Sequence, residues 1–136
     1  MIISDLRIST FVSFKEIIAW ERARELAMAI YQHSREGSFR KDFRFRDQIC
    51  AAEGSVADKI AEGFERDGGK EFVQFLAMAK GSLGEVRSQL CQAFDRGYLS
   101  EDRFHILEAE RLEIAKLIAG LMNYLRRCEV KGIKYT

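Results

Sequence analysis

The chain has 136 residues, 47% of them hydrophobic and 32% charged, and its 22 Lys and Arg balance 21 Asp and Glu to a net charge of +1. That length suits one domain with one substantial core, and the near-neutral balance excludes a protein whose whole surface is built to hold nucleic acid or anionic lipid, so that only local patches could do so. Proline is absent, which removes the strongest helix breaker and predicts an all-α chain of long helices joined by glycine turns.

Residues 1–12 show no helical period and are rich in Ile, Ser and Thr, so they read as an N-terminal arm. Ser13 followed by Glu16 has capping-box spacing, which places the start of a first helix over 14–35. Its apolar face would be Ile17, Trp20, Ala23, Ala27 and Ile30. A second helix over 44–66 carries Ile49, Ala52, Val56, Ile60 and Phe64 on one side. After Gly68 and Gly69, a third helix over 70–96 places Phe72, Leu76, Ala79, Leu83, Val86 and Leu90 at alternating steps of four and three, the seam of a left-handed bundle. Gly97 suits a helix C-terminus, and Ser100 with Glu101 and Asp102 suits the N-terminus of a fourth helix over 101–127. In that helix Leu107, Ile114 and Leu121 repeat by seven, as do Phe104, Arg111, Ile118 and Leu125. Residues 129–136 read as a tail. Short links between four long amphipathic helices predict an up-down-up-down antiparallel four-helix bundle over 13–128.

Several stretches taken together resemble one known family. They are Phe14-Lys15-Glu16-Ile17-Ile18-Ala19-Trp20 with Ala23-Arg24-Glu25-Leu26, then Asp47-Gln48-Ile49 and Ile60-Ala61-Glu62-Gly63-Phe64, then Lys70-Glu71-Phe72 through Gly81-Ser82-Leu83, and Gly97-Tyr98-Leu99. The pattern is similar to that of the small bacterial four-helix bundle proteins encoded in intervening sequences of large-subunit ribosomal RNA genes. The family's Ser-x-Pro-x-Asn run is represented here by Ser55-Val56-Ala57-Asp58-Lys59. With Ala57 and Lys59 in place of Pro and Asn, the second helix should be straighter, and any ligand role of that Asn does not carry over. The resemblance implies a cytosolic bundle that assembles into a closed ring, commonly a pentamer, without enzymatic activity. It also implies a distant relation to accessory proteins of diversity-generating retroelements, which bind reverse transcriptase and RNA.

Read as chemistry, the richest stretch is Arg35, Arg40, Lys41, Arg44 and Arg46 interleaved with Phe39, Phe43 and Phe45. Cations can meet phosphates while rings stack on unpaired bases; the alternative is that the rings plug the end of the bundle and that Glu36 and Asp42 dilute the charge. Arg126, Arg127, Lys131 and Lys134 form a second basic cluster, at the opposite end of an up-down-up-down bundle. Gly81 and Gly84, each costing about 1 kcal/mol in a helix interior relative to Ala, join Ala77 and Ser88 in a flank of small residues, suited to close packing within the bundle or to a subunit contact. Glu62 is read as one half of a structural ion pair, with Arg111 as a candidate partner.

Cys50, Cys91 and Cys128 are widely spaced, with only His33 and His105 beside them. That is not a zinc pattern, and it predicts free cysteines acting as small core residues in a reducing compartment. Asp102-x-x-His105 does not supply the Glu-x-x-His pairs of a ferritin-type centre, so neither a metal nor a cofactor is expected. No catalytic triad, Cys-His pair or paired-acid arrangement can be assembled. The N-terminal residues lack a signal peptide's basic start, and no stretch is long enough to span a bilayer, so the expected location is the cytoplasm. The sequence therefore leads to a non-enzymatic ring-forming bundle that acts as an RNA or nucleoprotein accessory factor. Two readings compete with it: a protein-interaction scaffold without nucleic-acid binding, and a small-molecule pocket between subunits.

Overall fold

Where the chain turns is set by its glycines and by two polar caps, Asp42 and Ser100. The computed structural model of the protein describes residues 3–66 and 68–130, for residues 3–15, 17, 129 and 130 by their backbone alone. Five helices follow in chain order: α1 (Ile3–Ser34), α2 (Gly37–Lys41), α3 (Phe43–Glu65), α4 (Gly69–Asp95) and α5 (Glu101–Val130). Among the described residues there is no strand.

Three of the chain's turns use glycine in the left-handed region, Gly37 at φ +54°, Gly68 at +96° and Gly97 at +78°, where a side chain would be strained. At the end of α4 the Tyr98 N–H bonds to the Ala93 carbonyl at 2.8 Å and the Gly97 N–H to the Phe94 carbonyl at 3.0 Å, which is the Schellman pattern. The Ser100 hydroxyl then accepts from the Arg103 N–H at 3.1 Å and starts α5.

The long helices pack in the cyclic order α1, α3, α4, α5 and back to α1, with α3 and α5 on opposite corners. Neighbours run antiparallel. Ser34 meets Cys50 at 3.7 Å while Glu16, near the other end of α1, lies within electrostatic reach of Glu65. The Ser55 and Ser82 hydroxyls bond at 2.8 Å across α3 and α4, and Phe94 stacks beside Phe104 at 5.3 Å across the turn into α5. The order is therefore up, down, up, down. The core seam of α4, Phe72, Leu76, Ala79, Leu83, Val86 and Leu90, is buried completely, as its four-three spacing requires. On α5, Leu107, Ile114, Ile118, Leu121 and Leu125 are buried with Phe104 half-buried against them.

The first helix departs from the sequence expectation. Residues 3–12 are helical rather than an arm, and Ser13 lies inside α1. The reason is that nothing interrupts the chain before Gly37: no proline and no glycine precede it, so a Ser-x-x-Glu spacing that could cap a helix is overrun by one that began earlier. Glu16 is consequently buried in mid-helix rather than closing a cap. The buried face of α1 is Ala19, Ala23, Leu26 and Ile30, with Trp20 half-buried, a small rotation from the expected face. The short α2 was not signalled either. Helix α5 continues to Val130 rather than ending at 127, and the expected tail beyond it lies outside the described residues.

The tightest helix crossing is at Gly63. A Cβ placed there would sit 2.7 Å from the Phe75 Cβ and 2.9 Å from the Phe72 Cδ1, closer than carbon atoms approach, so the absence of a side chain lets α3 and α4 close together around Phe72. This is the physical meaning of the glycine in Ile-Ala-Glu-Gly-Phe. Gly81 and Gly84 differ: a Cβ at either would meet nothing within 4 Å, and both are exposed with Ala77 and Ser88. Close packing inside the bundle is therefore not what these two glycines do.

Candidate nucleic-acid interface

The links α1–α2–α3 and α4–α5 meet at one end of the bundle, and Asp42 joins them. Its Oδ1 accepts from the Phe45 N–H at 3.4 Å and caps α3. Its Oδ2 accepts from the Tyr98 hydroxyl at 2.6 Å and from Arg96 Nη1 at 3.1 Å. The Tyr98 hydrogen bond, chiefly, holds the Asp42 carboxyl below its ordinary range, and the same bond pushes the Tyr98 hydroxyl up. The carboxylate therefore stays ionised, and its ion pair is with Arg96 rather than with Arg40, Lys41 or Arg44.

Beneath this link sits an aromatic plug. Phe39 stacks on Tyr98 with ring centres 5.0 Å apart, and Phe45 lies 5.7 Å from Phe39 and 5.9 Å from Tyr98, while the Arg96 guanidinium covers Phe45 at 4.3 Å. Phe39 is only 2% exposed. Phe39 and Phe45 are thus core residues and cannot stack on a base, which corrects the expectation for Phe39. Phe43 is the exception at 64% exposed. The chain alternates because Asp42 breaks the helical phase between α2 and α3: Phe39 and Phe45 turn inward from two different helices, and Phe43, in the first turn of α3, turns out.

The cations divide in the same way. Arg46 lies over the Phe43 ring at 5.0 Å and is held there by bonds to Asp47 Oδ1 at 3.3 Å and to the Arg40 carbonyl at 3.2 Å. Arg35 lies over Tyr31 at 5.1 Å. Arg40, Lys41 and Arg44 are exposed, and none of the three is ion-paired among the described residues. Glu36 leans to His33 at 4.0 Å instead; burial, then the nearby Arg103, hold that imidazole below its usual value against the opposing pull of Glu36. Arg103, exposed at the start of α5, adds a further positive charge at this end.

The remaining sequence candidates are placed apart from it. Arg126 and Arg127 are exposed near the end of α5, at the opposite end of the bundle, and Lys131 and Lys134 lie outside the described residues. Glu62 and Arg111 do not pair. Glu62 reaches Lys59 at 3.5 Å, and the buried Arg111 makes a two-pronged contact with Glu108, at 2.8 and 2.7 Å, one turn back on its own helix. The diagonal placement of α3 and α5 is the reason. Cys128 is buried and Cys50 half-buried, but Cys91 is exposed and is no core residue. Among the described residues no three His, Cys, Asp or Glu side chains are grouped to hold a metal ion, and no helix is long and apolar enough to cross a membrane.

One residue that sequence reasoning passed over is Glu53. It is 0% exposed and neither carboxylate oxygen has a hydrogen-bond partner; burial pushes it up to about 8, so it is held in the protonated form at neutral pH. Its spacing gave the signal: Ile49, Glu53, Val56 and Ile60 follow the same four-three step as the buried seam of α4.

Fold and site thus define an all-helical bundle with a basic, aromatic-tipped end. The family model of the 23S rRNA-intervening sequence protein matches residues 15–120, and the chain belongs to that family. Its fold is that of a crystal structure of a protein of unknown function from the S23 ribosomal protein family of Bacteroides thetaiotaomicron, with a TM-score of 0.74 and 19% identity over 80% of this chain and 98% of that one. No curated protein matches the chain.

Proposed function

We propose that the protein is a non-enzymatic, cytoplasmic RNA-binding accessory factor that works as a homo-oligomeric ring of five subunits, alone or with a nucleic-acid enzyme. The observation that carries this reading is the trio Arg40, Lys41 and Arg44, exposed and without counter-charge on a turn that Asp42 pins to the α4–α5 link. Uncompensated cations on a rigid turn suit a polyanion, because their charge is not spent on internal pairs and little order is lost on contact. A family named for intervening sequences of 23S rRNA makes RNA the first polyanion to test. The ring rests on Gly81 and Gly84, which share one face of α4 and, like Gly54 and Gly120 on other helices, have a helix-interior cost that no contact among the described residues offsets; a second copy packed on the α4 face would supply the contact, and closure would gather one basic end per subunit into a multivalent surface.

The test is a fluorescence-anisotropy titration with a short single-stranded RNA across a range of salt, on protein whose oligomeric state is fixed by light scattering. Three engaged phosphates give a log–log salt slope of about −2. Replacing Arg40, Lys41 and Arg44 by Glu should abolish binding and leave assembly intact. Equal binding by that variant would remove this end of the bundle from the account and favour a scaffold that captures a protein partner, for which the exposed Met78 beside Gly81 is the first surface to mutate.

A further inference from the structure

We propose that Phe43 is a stacking platform for one unpaired base, so that this end of the bundle prefers single-stranded over duplex RNA. The inference rests on the RNA-binding reading and adds to it which form of RNA is held and by which ring. Three aromatic side chains lie between the cations of residues 39–46, and two of them are withdrawn into the plug with Tyr98. Phe43 alone is left out, 64% exposed on a protein whose other link aromatics are covered.

Its setting is that of a built surface. The Arg46 guanidinium covers the ring at 5.0 Å, and Arg46 is itself fixed by Asp47 and by the Arg40 carbonyl. A pinned cation supports the ring, which at 64% exposed leaves area for a planar partner. Asp42, immediately before it, ties the first turn of α3 to Arg96 and Tyr98, so the platform is anchored to the α4–α5 link. Arg40 and Lys41 precede it by three and two residues and Arg44 follows it by one, all exposed, so that cations flank the ring along the chain, as phosphates flank a stacked nucleotide. A duplex offers the same phosphates but keeps its base faces in the stack, so it gains the charge contacts without the ring. Sequence preference should be weak, since every base has a π-face.

The experiment compares a short single-stranded RNA carrying 2-aminopurine with a blunt duplex of the same sequence, using wild-type protein, Phe43→Ala, Phe43→Leu and Phe43→Tyr. The expected result is that Phe43→Ala and Phe43→Leu weaken single-strand binding roughly 5- to 100-fold, the range carried by one stacked base, and abolish the 2-aminopurine quenching. Duplex binding should be unchanged, and Phe43→Tyr should restore both readouts. Phe43→Leu keeps apolar bulk, so a loss in Ala alone would mark a folding effect and overturn the stacking assignment. If all four proteins bind both RNAs alike while the Arg40, Lys41 and Arg44 charge reversal still abolishes binding, the platform is wrong and the RNA reading stands. If the wild type binds neither RNA, both fail.

Discussion

The two ends of the bundle are built on different principles. At the end where α3 turns into α4, Gly63 lets Phe72 and Phe75 pack against backbone, and the crossing is held by apolar contact and shape. At the other end Asp42 joins two links through hydrogen bonds and one ion pair, while Arg40, Lys41 and Arg44 are exposed and make no ion pair among the described residues. Ile-Ala-Glu-Gly-Phe and Lys-Glu-Phe at the first end are among the stretches by which the chain is recognised, as are Asp47-Gln48-Ile49 and Gly97-Tyr98-Leu99 at the second. The recognised residues thus mark packing at one end, where Gly63 has no room for a side chain, and polar bonding at the other, where Tyr98 holds Asp42.

Four predictions bear on that contrast, in falling order of expected effect. The largest concerns the core between the two ends. Glu53 has its pKa raised in the folded protein to about 8, against about 4.3 in an unfolded chain, so the folded state binds the proton more tightly. Stability should therefore be greatest at acid pH, fall as pH rises from about 4.5 to 8, and level off above that, a loss on the order of 5 kcal/mol. Burial and the nearby Glu65 push Glu16 up to about 7, and it adds to the loss with the same sign over the lower part of that window. Urea titrations at several pH values should show the fall in the wild type and a flatter profile in Glu53→Gln; an unchanged profile in the variant would mean that Glu53 is not the group responsible.

Next, Gly63→Ala forces a carbon to within 2.7 Å of the Phe75 Cβ and should destabilise the bundle by about 1–3 kcal/mol, read as a lower urea midpoint, with RNA affinity unaffected below the transition. Full stability would place the helix crossing elsewhere. Tyr98→Phe removes the hydroxyl that Asp42 accepts at 2.6 Å. It should leave the fold intact, bring the Asp42 pKa back towards its ordinary value in a carboxyl NMR titration, and loosen the turn that carries Phe43, so that its amide protons exchange faster than those of α4. Smallest in stability is Gly81→Ala with Gly84→Ala. With nothing beyond the helix's own backbone within 4 Å of either new carbon among the described residues, helix propensity should stabilise the isolated chain by up to about 1 kcal/mol per site. The same change should weaken the oligomer in light scattering, since the proposed subunit contact needs the glycines bare; an oligomer that tightens would move the interface to another face.

Much of the fold was legible in the sequence, for identifiable reasons. Helices α3 and α4 lie within one residue of their expected bounds at each end, because Asp42, Gly68 and Gly97 stand near where they start and stop, and the seam from Phe72 to Leu90 repeats without error. The start of α1 was not legible, because a capping spacing inside an unbroken helix looks like one at a terminus. The candidate interface was half legible. Its cations were evident, but Phe39, Phe43 and Phe45 could not be sorted into plug and platform without the α2 turn, which shifts the helical phase between them. Nor could sequence show that Asp42 is engaged by Arg96 and Tyr98, 54 and 56 residues away. Arg111 misled in a different way: its seam position suggested a partner across the bundle, whereas Glu108, three residues earlier, was the nearer one.

The most direct test of the account sets the two ends against each other. Single-stranded RNA binding is titrated near physiological salt for the wild type, for Arg40, Lys41 and Arg44 changed to Glu, and for Arg126 and Arg127 changed to Glu, with each variant's oligomeric state held equal. The account predicts that the first variant loses binding and the second keeps most of it. Binding that survives the first and is lost in the second would contradict it, and would move the interface to the far end of α5.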